Sequence, residues 1–479
     1  MTKKNDIFVN LFWKMAERMS AQVITVIVSI VLARILDPEH YGIVAMVMIF
    51  VSLANVFVSD CMTSALIQKK DADQLDFSSA LYFNLAFSVV LYMLLFFLAP
   101  WISRIYGEGY EILTPVLRVM GIRLIPTAIN AIQWAYIAQK MIFRKFFLAT
   151  LTGTVLASAV GIMMAYAGYG VWALAFQYVI ELTAATIFLI FSLGNIYSFQ
   201  FSFGRLKSIL KFGSDMLVSN LMVTGYQQIR TMIIGKLYSS EELAFYEKGQ
   251  TFPNLLVTNI DTSIGTVLFP KMSSEQNDIS KIKATARNSI RFSSFFMSPL
   301  VLGLMAVAAP LVRVLLTEKW APSIPMLQLF CVFYLFQPIH TANMQAIKAV
   351  GRSDIYLKLE TAKKIVELVV LFITMRMNVL MILVGMVACN TLFTLFNAYP
   401  NTKLIHYGIG EQFLDILPSL LMSLVMFAVV WMIQMFHLGD LTTLILQVCT
   451  GCLVYIGLSA VTGNQEFRSL LAMIRKHRT

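Results

Sequence analysis

Residues 77–100 read FSSALYFNLAFSVVLYMLLFFLAP and contain no Asp, Glu, Lys or Arg. The run follows Asp76 directly and ends four residues before Arg104. A helix needs about 20 apolar residues to cross the hydrocarbon core of a bilayer, so this run predicts a membrane-spanning helix. Similar runs recur along the chain with very short gaps between them.

The overall composition is that of a chain solvated mainly by lipid. Of 479 residues, 58% are hydrophobic and only 13% are charged, which contradicts a set of soluble domains. We expect an all-α polytopic membrane protein with about fourteen transmembrane helices and no soluble catalytic domain. The predicted spans are 7–36, 42–67, 77–100, 113–138, 147–167, 171–194, 208–237, 246–270, 288–316, 323–347, 355–376, 379–402, 413–436 and 441–461.

The connection at 195–211 is polar, aromatic and basic, and in the first half only this stretch has the character of a linker. We therefore predict an N-terminal lobe at 1–200, a C-terminal lobe at 201–404, and two further spans with a basic tail at 405–479. Segments 33–42 and 235–246 resemble each other, because each has a basic residue, an acidic turn and a tyrosine that opens the next helix. Six intervening spans would give the two lobes the same orientation in the membrane.

Basic residues concentrate in alternate loops, as at Lys69, Lys140, Arg205 and Lys281. By the positive-inside rule these loops face the cytoplasm, and we expect both termini to be cytoplasmic. The same rule accounts for the net charge of +11 without nucleic acid. The basic N-terminus leads into an apolar segment without a small-residue cleavage site, so we expect an uncleaved first span.

The sequence also argues against metal, redox and ATP chemistry. All five cysteines lie in apolar stretches, and Cys449 and Cys452 have C-x-x-C spacing but no second pair and no histidines beside them. No Walker-type phosphate-binding run is present, so we expect no cofactor and no ATP hydrolysis.

Ionisable residues inside a membrane normally face a cavity or a partner, so they are the informative residues here. One face of span one is polar for about four turns, which favours cavity lining, although snorkelling would explain its first basic residues. That face comprises Lys14, Glu17, Arg18, Gln22, Thr25 and Ser29. Span eight carries a second stripe, for which interhelical hydrogen bonding is the alternative. It comprises Glu247, Gln250, Asn254, Thr258 and Asp261.

Further polar residues lie in four other spans, and each has two interpretations. In span eleven, Glu360 and Lys364 have the spacing of an ion pair, and the alternative is that they line the cavity. Lys363 and Glu367 lie on the same side of this helix. Arg123 and Arg230 are suited to holding a phosphate with two hydrogen bonds, or to structural salt bridges across the lobes, for instance with Glu181 or Asp215. Span ten contains His340, Asn343, Gln345 and Lys348, and we expect the histidine to be a hydrogen-bonded packing residue.

Six short segments together resemble the polysaccharide transporter family, the Wzx-type flippases of the multidrug/oligosaccharidyl-lipid/polysaccharide exporter superfamily. They are Leu32-Ala33-Arg34 with Leu36, Pro38, Tyr41 and Gly42; residues 64–71; residues 168–174; Leu268-Phe269-Pro270; Glu318-Lys319-Trp320 with Pro325; and residues 349–354. Their order and spacing extend the resemblance over nearly the whole chain. The turn after span seven departs from the family pattern, because Ser239 and Ser240 stand where a glycine or proline is usual.

The resemblance implies two six-helix lobes around a central cavity and two additional C-terminal helices. It also implies a flippase that moves undecaprenyl-pyrophosphate-linked oligosaccharide across the cytoplasmic membrane. Related lipid II flippases have cavity cations at the positions of Arg34 and Lys248, which makes these two residues the first candidates for binding substrate. The weaker candidates are Lys14, Arg18, Arg123, Arg230 and Lys364.

The energy source is expected to be the substrate gradient or coupling to H⁺ or Na⁺, with embedded carboxylates taking up the ion. The candidates are Asp60, Asp215, Asp261 and Glu181. We expect a monomer that contacts membrane lipids and works beside polysaccharide polymerase and assembly proteins.

Three alternatives stay open at this stage. A cation-coupled small-molecule exporter of the same superfamily should prefer an aromatic, acidic pocket. A membrane-embedded glycan transferase or polymerase should have a long extracytoplasmic loop, whereas the outward loops here are short. A scaffold for glycan assembly enzymes would need no transport pathway.

Overall fold

In the computed structural model, the described residues are 20, 22–69, 71–194 and 196–476. They form α-helices and short 3₁₀ segments, and this part of the chain contains no strand. Contacts divide the chain into two compact units, residues 1–244 and 245–479. The lobe boundaries predicted near 200 and 404 stay predictions.

The first unit contains eight helices in its described part. They are α1 (Gln22–Ile35), α2 (Pro38–Gln68), α3 (Gln74–Tyr106), α4 (Leu113–Gly121), α5 (Leu124–Lys140), α6 (Phe143–Tyr166), α7 (Val171–Leu193) and α8 (Phe203–Leu237). Helix α9 (Ser240–Ser274) begins in this unit and continues into the second. Pro38 lies in the first turn of α2, where the missing N–H has no consequence for helix hydrogen bonding.

Helix α3 begins at a capping box. The Asp73 side chain accepts a hydrogen bond from the Asp76 backbone N–H, and the Asp76 side chain accepts one from the Asp73 backbone N–H. Asp76 is fully buried, and its carboxylate also binds Lys69 at 2.6 Å and Arg205 at 3.3 Å. This cluster ties the start of α8 to the start of α3.

The second unit continues with nine helices. They are α10 (Ile279–Ala306), α11 (Ala308–Leu316), α12 (Ser323–Tyr334), α13 (Gln337–Ala349), α14 (Ser353–Thr374), α15 (Val379–Leu404), α16 (Ile409–Met432), α17 (Asp440–Val461) and α18 (Gln465–Lys476). Two 3₁₀ segments, Glu318–Trp320 and Ile433–Phe436, lie between them. Three basic residues spaced four apart on α10 hold the last helices in place. Lys283 binds Glu411 at 2.8 Å, Arg287 binds Asp415 at 2.8 Å and Arg291 binds Glu466 at 2.8 Å.

Ten helical segments in the described part of the chain are long and apolar enough to cross a membrane, including the pairs α4–α5 and α12–α13 counted as one segment each. Helices α8 and α9 have 35 residues each and α14 has 22, so their length also suffices. All three are too polar to meet the same criterion, and all three carry candidate site residues described below. The predicted total of fourteen spans stays a prediction.

Three of the predicted spans are single hydrophobic runs that the structure breaks, and one of them, 288–316, divides into α10 and α11 at Val307. Span 113–138 divides into α4 and α5 at Ile122 and Arg123, and span 323–347 divides into α12 and α13 just before Gln337. A proline lies in the first turn of each following helix, Pro126 in α5 and Pro338 in α13, where it is tolerated. The breaks bring Arg123 and Gln337 into the interior of their units.

Candidate functional site

The second unit has an open cavity of about 530 Å³ between α9, α13 and α14, with many polar lining residues. Its volume lies within the range of about 300 to 1,000 Å³ that is usual for small-ligand sites. The lining residues are Asp261, Thr262, Gly265, Thr266, Phe269, Gln337, His340, Thr341, Met344, Gln345, Lys348, Tyr356 and Glu360. This lining combines carboxylates, amides and hydroxyls with two aromatic rings, although the helices around it are those of a membrane protein.

Asp261 is held in the cavity wall by two neutral donors from α13. The Thr341 hydroxyl donates to one of its carboxylate oxygens, and Gln337 Nε2 donates to the other at 3.2 Å. Each carboxylate oxygen can accept more than one hydrogen bond. Asp261 is therefore oriented by its neighbours and keeps acceptor capacity toward the cavity.

The other walls carry both cationic and aromatic groups. His340 Nδ1 lies 2.7 Å from Asn397 Nδ2, so the histidine is hydrogen-bonded to α15 as well as lining the cavity. Lys348 Nζ lies 4.1 Å from the ring centroid of Tyr356, which is a cation–π contact. Glu360 from α14 completes this side of the cavity.

The predicted polar stripe of α9 reaches the cavity only at its Asp261 end. Asn254 and Thr258 are exposed, and Asn254 Oδ1 accepts hydrogen bonds from Thr258 at 2.8 Å and from Tyr334 at 3.2 Å. Gln250 is half-buried one turn earlier. Lys248 is only 8% exposed, with Nζ 5.5 Å from the ring centroid of Trp320, and it does not line the 530 Å³ cavity.

Helix α14 directs its charged residues to different neighbours. Glu360 lines the cavity, whereas Lys363 Nζ donates to Asn390 Oδ1 at 3.0 Å on α15. Lys364 is half-buried and lies outside the cavity lining. On α14, Glu360 therefore has the position of a cavity residue, whereas substrate binding by Lys364 stays a prediction.

The first unit contains a smaller cavity of about 160 Å³, lined in part by Arg123, Asn130 and Glu181. Arg123 Nη1 donates to the backbone carbonyl of Tyr178 and lies 3.6 Å from Glu181 Oε2. Its guanidinium carbon lies 3.7 Å from the Tyr178 ring centroid. These contacts correspond to the structural salt-bridge interpretation of Arg123, with Glu181 as partner inside one unit.

The other candidates in the first unit are not gathered around this cavity. Arg34 is exposed at the end of α1. Earlier in the same helix, Thr25 is exposed, and Gln22 and Ser29 are half-buried. Arg230 is half-buried in α8. Lys14 and Arg18 lie outside the described residues, as do the side chains of Asp60 and Asp215, so the roles predicted for these four residues stay predictions.

The α13 wall of the cavity was only partly recognised in the sequence. Gln345, His340 and Lys348 were noted, but Gln337 and Thr341 were missed as the groups that hold Asp261. A signal was present, because Gln337, Thr341 and Gln345 are spaced four residues apart and therefore lie on one helix face. Tyr356 gave no comparable signal, since a single tyrosine near a helix start is common at membrane interfaces.

A separate apolar groove of about 500 Å³ lies between α10, α16, α17 and α18. Phe295, Met426 and Tyr455 form part of its wall, and Cys452 lines it as well. Such a lining suits a hydrocarbon chain rather than a sugar, since a polar group would leave its hydrogen bonds unmade there.

Similarity to known proteins indicates the family of this chain. A family model described as a polysaccharide biosynthesis protein matches residues 31–325, which is more than half of the chain. The chain belongs to this family. This family member is 23% identical over 310 residues to the succinoglycan biosynthesis transport protein ExoT of Rhizobium meliloti (strain 1021), covering 63% of this chain and 61% of ExoT. It is 22% identical over 339 residues to the lipopolysaccharide biosynthesis protein WzxC of Escherichia coli (strain K12), covering 70% and 68% of the two chains.

The match to ExoT thus spans less than two thirds of that protein's length. Among solved structures, the lipid II flippase MurJ in an inward closed conformation superimposes with a TM-score of 0.76 and 16% identity, over 96% of this chain and 100% of MurJ. At this identity the likeness shows a shared fold. The predictions of a polysaccharide transporter family member and of an all-α polytopic protein of the inner membrane are therefore confirmed.

Proposed function

We propose that this protein is a flippase that moves an undecaprenyl-pyrophosphate-linked oligosaccharide across the cytoplasmic membrane by alternating access. The observation that carries the proposal is the polar cavity of about 530 Å³ inside a helical membrane unit of a polysaccharide biosynthesis family member. Burying unpaired polar groups in hydrocarbon is costly, so a cavity lined by amides, hydroxyls and carboxylates implies a polar passenger.

The names of the relatives support the same assignment. ExoT is named as a transport protein and MurJ as a lipid II flippase, and neither name describes a catalyst. This agrees with the prediction that the chain is a transporter rather than an enzyme. Export of a lipid-linked glycan for a cell-surface polysaccharide is the function that agrees both with these names and with the polar lining of the cavity.

The charged headgroup needs cations, and Arg34 is the first candidate because it is exposed on a helix whose neighbouring face is polar. A guanidinium can bind a phosphate through two parallel hydrogen bonds. Lys248 is the second candidate, and its burial against Trp320 means that α9 would have to rearrange before its amine could contact substrate. Both termini on the cytoplasmic side, a monomeric state and association with assembly enzymes complete the proposal.

Coupling to a H⁺ or Na⁺ gradient is proposed to act through Asp261. Its carboxylate lies in the cavity wall and is oriented by Thr341 and Gln337, both neutral. Binding and release of a cation at such a carboxylate would change the local charge by one unit inside a low-dielectric region, which is the kind of change that drives an alternating transporter.

The test is transfer of a labelled undecaprenyl-pyrophosphate oligosaccharide across proteoliposomes, with and without a pH or Na⁺ gradient. Wild type should transfer the lipid, and Arg34→Ala should slow transfer about tenfold, because a charge-assisted hydrogen bond contributes about 1.5 to 3 kcal/mol. Arg104→Ala is the matched control, since Arg104 is an exposed arginine at the end of α3. Efflux of a cationic dye without any transfer of lipid-linked glycan would favour a small-molecule exporter instead.

A further inference from the structure

The cavity of the second unit has a composition that selects among the parts of a lipid-linked oligosaccharide. Two carboxylates, Asp261 and Glu360, and two amides, Gln337 and Gln345, are among the described residues that line it. Thr262 and Thr266 add hydroxyls at an exposed part of α9. Carboxylates accept hydrogen bonds, amides both donate and accept, and hydroxyls do either, which together match the hydroxyl groups of a sugar.

The same lining is a poor match for pyrophosphate. Lys348 is the cation expected to carry a full charge among the described lining residues, and its amine already contacts the Tyr356 ring. A pyrophosphate placed here would face the carboxylates of Asp261 and Glu360 at close range, and like charges repel strongly where the dielectric constant is low. An acidic sugar would meet the same repulsion.

Apolar surfaces in the cavity fit the non-polar faces of a pyranose ring. Phe269 and Tyr356 contribute aromatic rings and Met344 contributes a thioether on the α13 wall. Sugar rings present C–H groups on their faces and hydroxyls at their edges, so a site with both kinds of surface binds the ring in one orientation. Ligand sites typically have this combination of apolar walls and a few convergent polar groups.

We propose that the cavity between α9, α13 and α14 is a subsite for uncharged sugar residues of the transported oligosaccharide, whereas the pyrophosphate binds elsewhere. Glu360 accepts from a sugar hydroxyl, Gln345 fixes a neighbouring hydroxyl, and Tyr356 lies against the ring. This inference rests on the proposed function and specifies which part of the substrate the second unit binds.

The position of Gln345 supports this role. Its Nε2 would lie 3.6 Å from a Cβ added at Gly265, so the amide lies opposite a residue that has no side chain. Because Gly265 has no side chain, α9 does not fill the space beside the Gln345 amide, and this space is open to a ligand group. A sugar hydroxyl in that gap would have the Gln345 amide on one side and the carboxylate of Asp261, one turn earlier on α9, on the other.

The test uses three probes in proteoliposomes: undecaprenyl-pyrophosphate carrying a single neutral hexose, a neutral hexose trisaccharide, or a trisaccharide with a terminal hexuronic acid. Wild type should transfer the neutral trisaccharide lipid faster than either of the others. In Gln345→Ala and Glu360→Gln this preference should fall about two- to tenfold, because the first change removes a neutral hydrogen bond and the second keeps an acceptor oxygen but removes its charge. Transfer of the single-hexose lipid should fall by much less.

Gln276→Ala is the matched control, because Gln276 is exposed in the turn between α9 and α10, outside the cavity. It should keep the wild-type preference, and melting of each purified variant in detergent checks that it is folded. An equal loss of transfer for all three probes, or an unchanged preference in folded cavity variants, would overturn the proposed sugar subsite. Neither result would contradict the proposal that the protein is a flippase. No transfer of any probe by wild type would overturn the proposed function itself.

Discussion

Each unit of this protein has a cavity beside a broken helix, and the ionisable residue at that cavity has different neighbours in the two units. In the first unit Arg123 lies at the break between α4 and α5, and the Tyr178 carbonyl, the Tyr178 ring and Glu181 all contact it. In the second unit the break between α12 and α13 supplies Gln337, which orients Asp261 toward a cavity more than three times as large. One ion is neutralised inside the fold, and the other faces space that a ligand can fill.

Two glycines show a related contrast, Gly153 where α6 packs on α7 near the first cavity and Gly265 in the wall of the second. A Cβ at Gly153 would clash with the backbone carbonyl oxygen of Glu181, so α6 and α7 approach each other closely because this residue is a glycine. At Gly265 the nearest atom to a new Cβ is Gln345 Nε2 at 3.6 Å, an ordinary van der Waals distance. The first unit is closed by backbone contact around its ion pair, whereas the second leaves its cavity open.

The largest expected effect comes from exchanging these two glycines for alanine. Gly153→Ala should destabilise the protein by about 1 to 3 kcal/mol, because the Glu181 carbonyl cannot move away without separating two helices. Gly265→Ala should be neutral or stabilise by about 0.4 to 1 kcal/mol, because alanine restricts the unfolded chain and fits the space. Thermal unfolding of both variants in the same detergent measures the difference. Equal destabilisation by both would remove the contrast between closed and open walls.

Exchanging the cavity carboxylate should affect transport more than folding. In Asp261→Asn one side-chain oxygen becomes a donor, so either Thr341 or Gln337 faces a second donor and the ionisable group is lost. We expect gradient-driven transfer to fall about tenfold, a change of about 1.4 kcal/mol in the barrier. Transfer down the substrate gradient should fall by less, because asparagine keeps one acceptor oxygen for a sugar hydroxyl. Glu181→Gln is the comparison in the first unit and should keep gradient dependence. Coupling that survives in Asp261→Asn but fails in Glu181→Gln would assign the coupling role to the first unit.

The fold was predictable from sequence because spanning helices follow from the length of apolar runs. The run at 77–100 lies inside α3, which extends from Gln74 to Tyr106 because Asp73 and Asp76 cap its start. What the runs did not indicate was where a span is interrupted. Hydropathy continues across Arg123 and across Gln337, and only the prolines at 126 and 338 marked the first turns of the new helices.

The candidate site was predictable only as a set of faces. The stripe on α9 includes Asp261, which lines the cavity, and a carboxylate at helical spacing from other polar residues has to face something other than lipid. Which neighbours hold it depends on α13, whose distance from α9 no sequence pattern gives. Lys248 illustrates the same limit, because the residues that bury it beside Trp320 lie far along the chain.

The ion pair between Arg123 and Glu181 in the first unit should contribute modestly to stability, because other groups also hold Arg123. Glu181→Ala should lower stability by about 1 kcal/mol, because the glutamate side chain is 40% exposed and solvent screens part of the attraction. Arg123 would keep its hydrogen bond to the Tyr178 carbonyl and its contact with the ring. Chemical or thermal unfolding in detergent measures the change. A loss of about 3 to 5 kcal/mol, typical of a fully buried pair with one partner removed, would show that Glu181 alone neutralises the arginine.

The smallest expected effect concerns two helix caps at corresponding places in the units, Asp73 before α3 and Asp278 before α10. Hydrogen bonds from the backbone N–H groups of Asp76 and Lys281, respectively, lower the pKa values of these two aspartates. A depressed pKa stabilises the folded state above the unfolded value of about 3.9, and that contribution disappears as the pH falls through the folded value. Asp73→Ala should therefore lower stability by about 0.5 to 1 kcal/mol at pH 7, and the difference from wild type should narrow toward pH 3.

Asp278→Ala should have a smaller effect, because Asp278 lacks the reciprocal bond that Asp76 gives Asp73. Thermal unfolding at pH 7 and pH 3 checks both variants, and a larger loss from Asp278 than from Asp73 would show that the first unit is not the more tightly fixed at its helix starts.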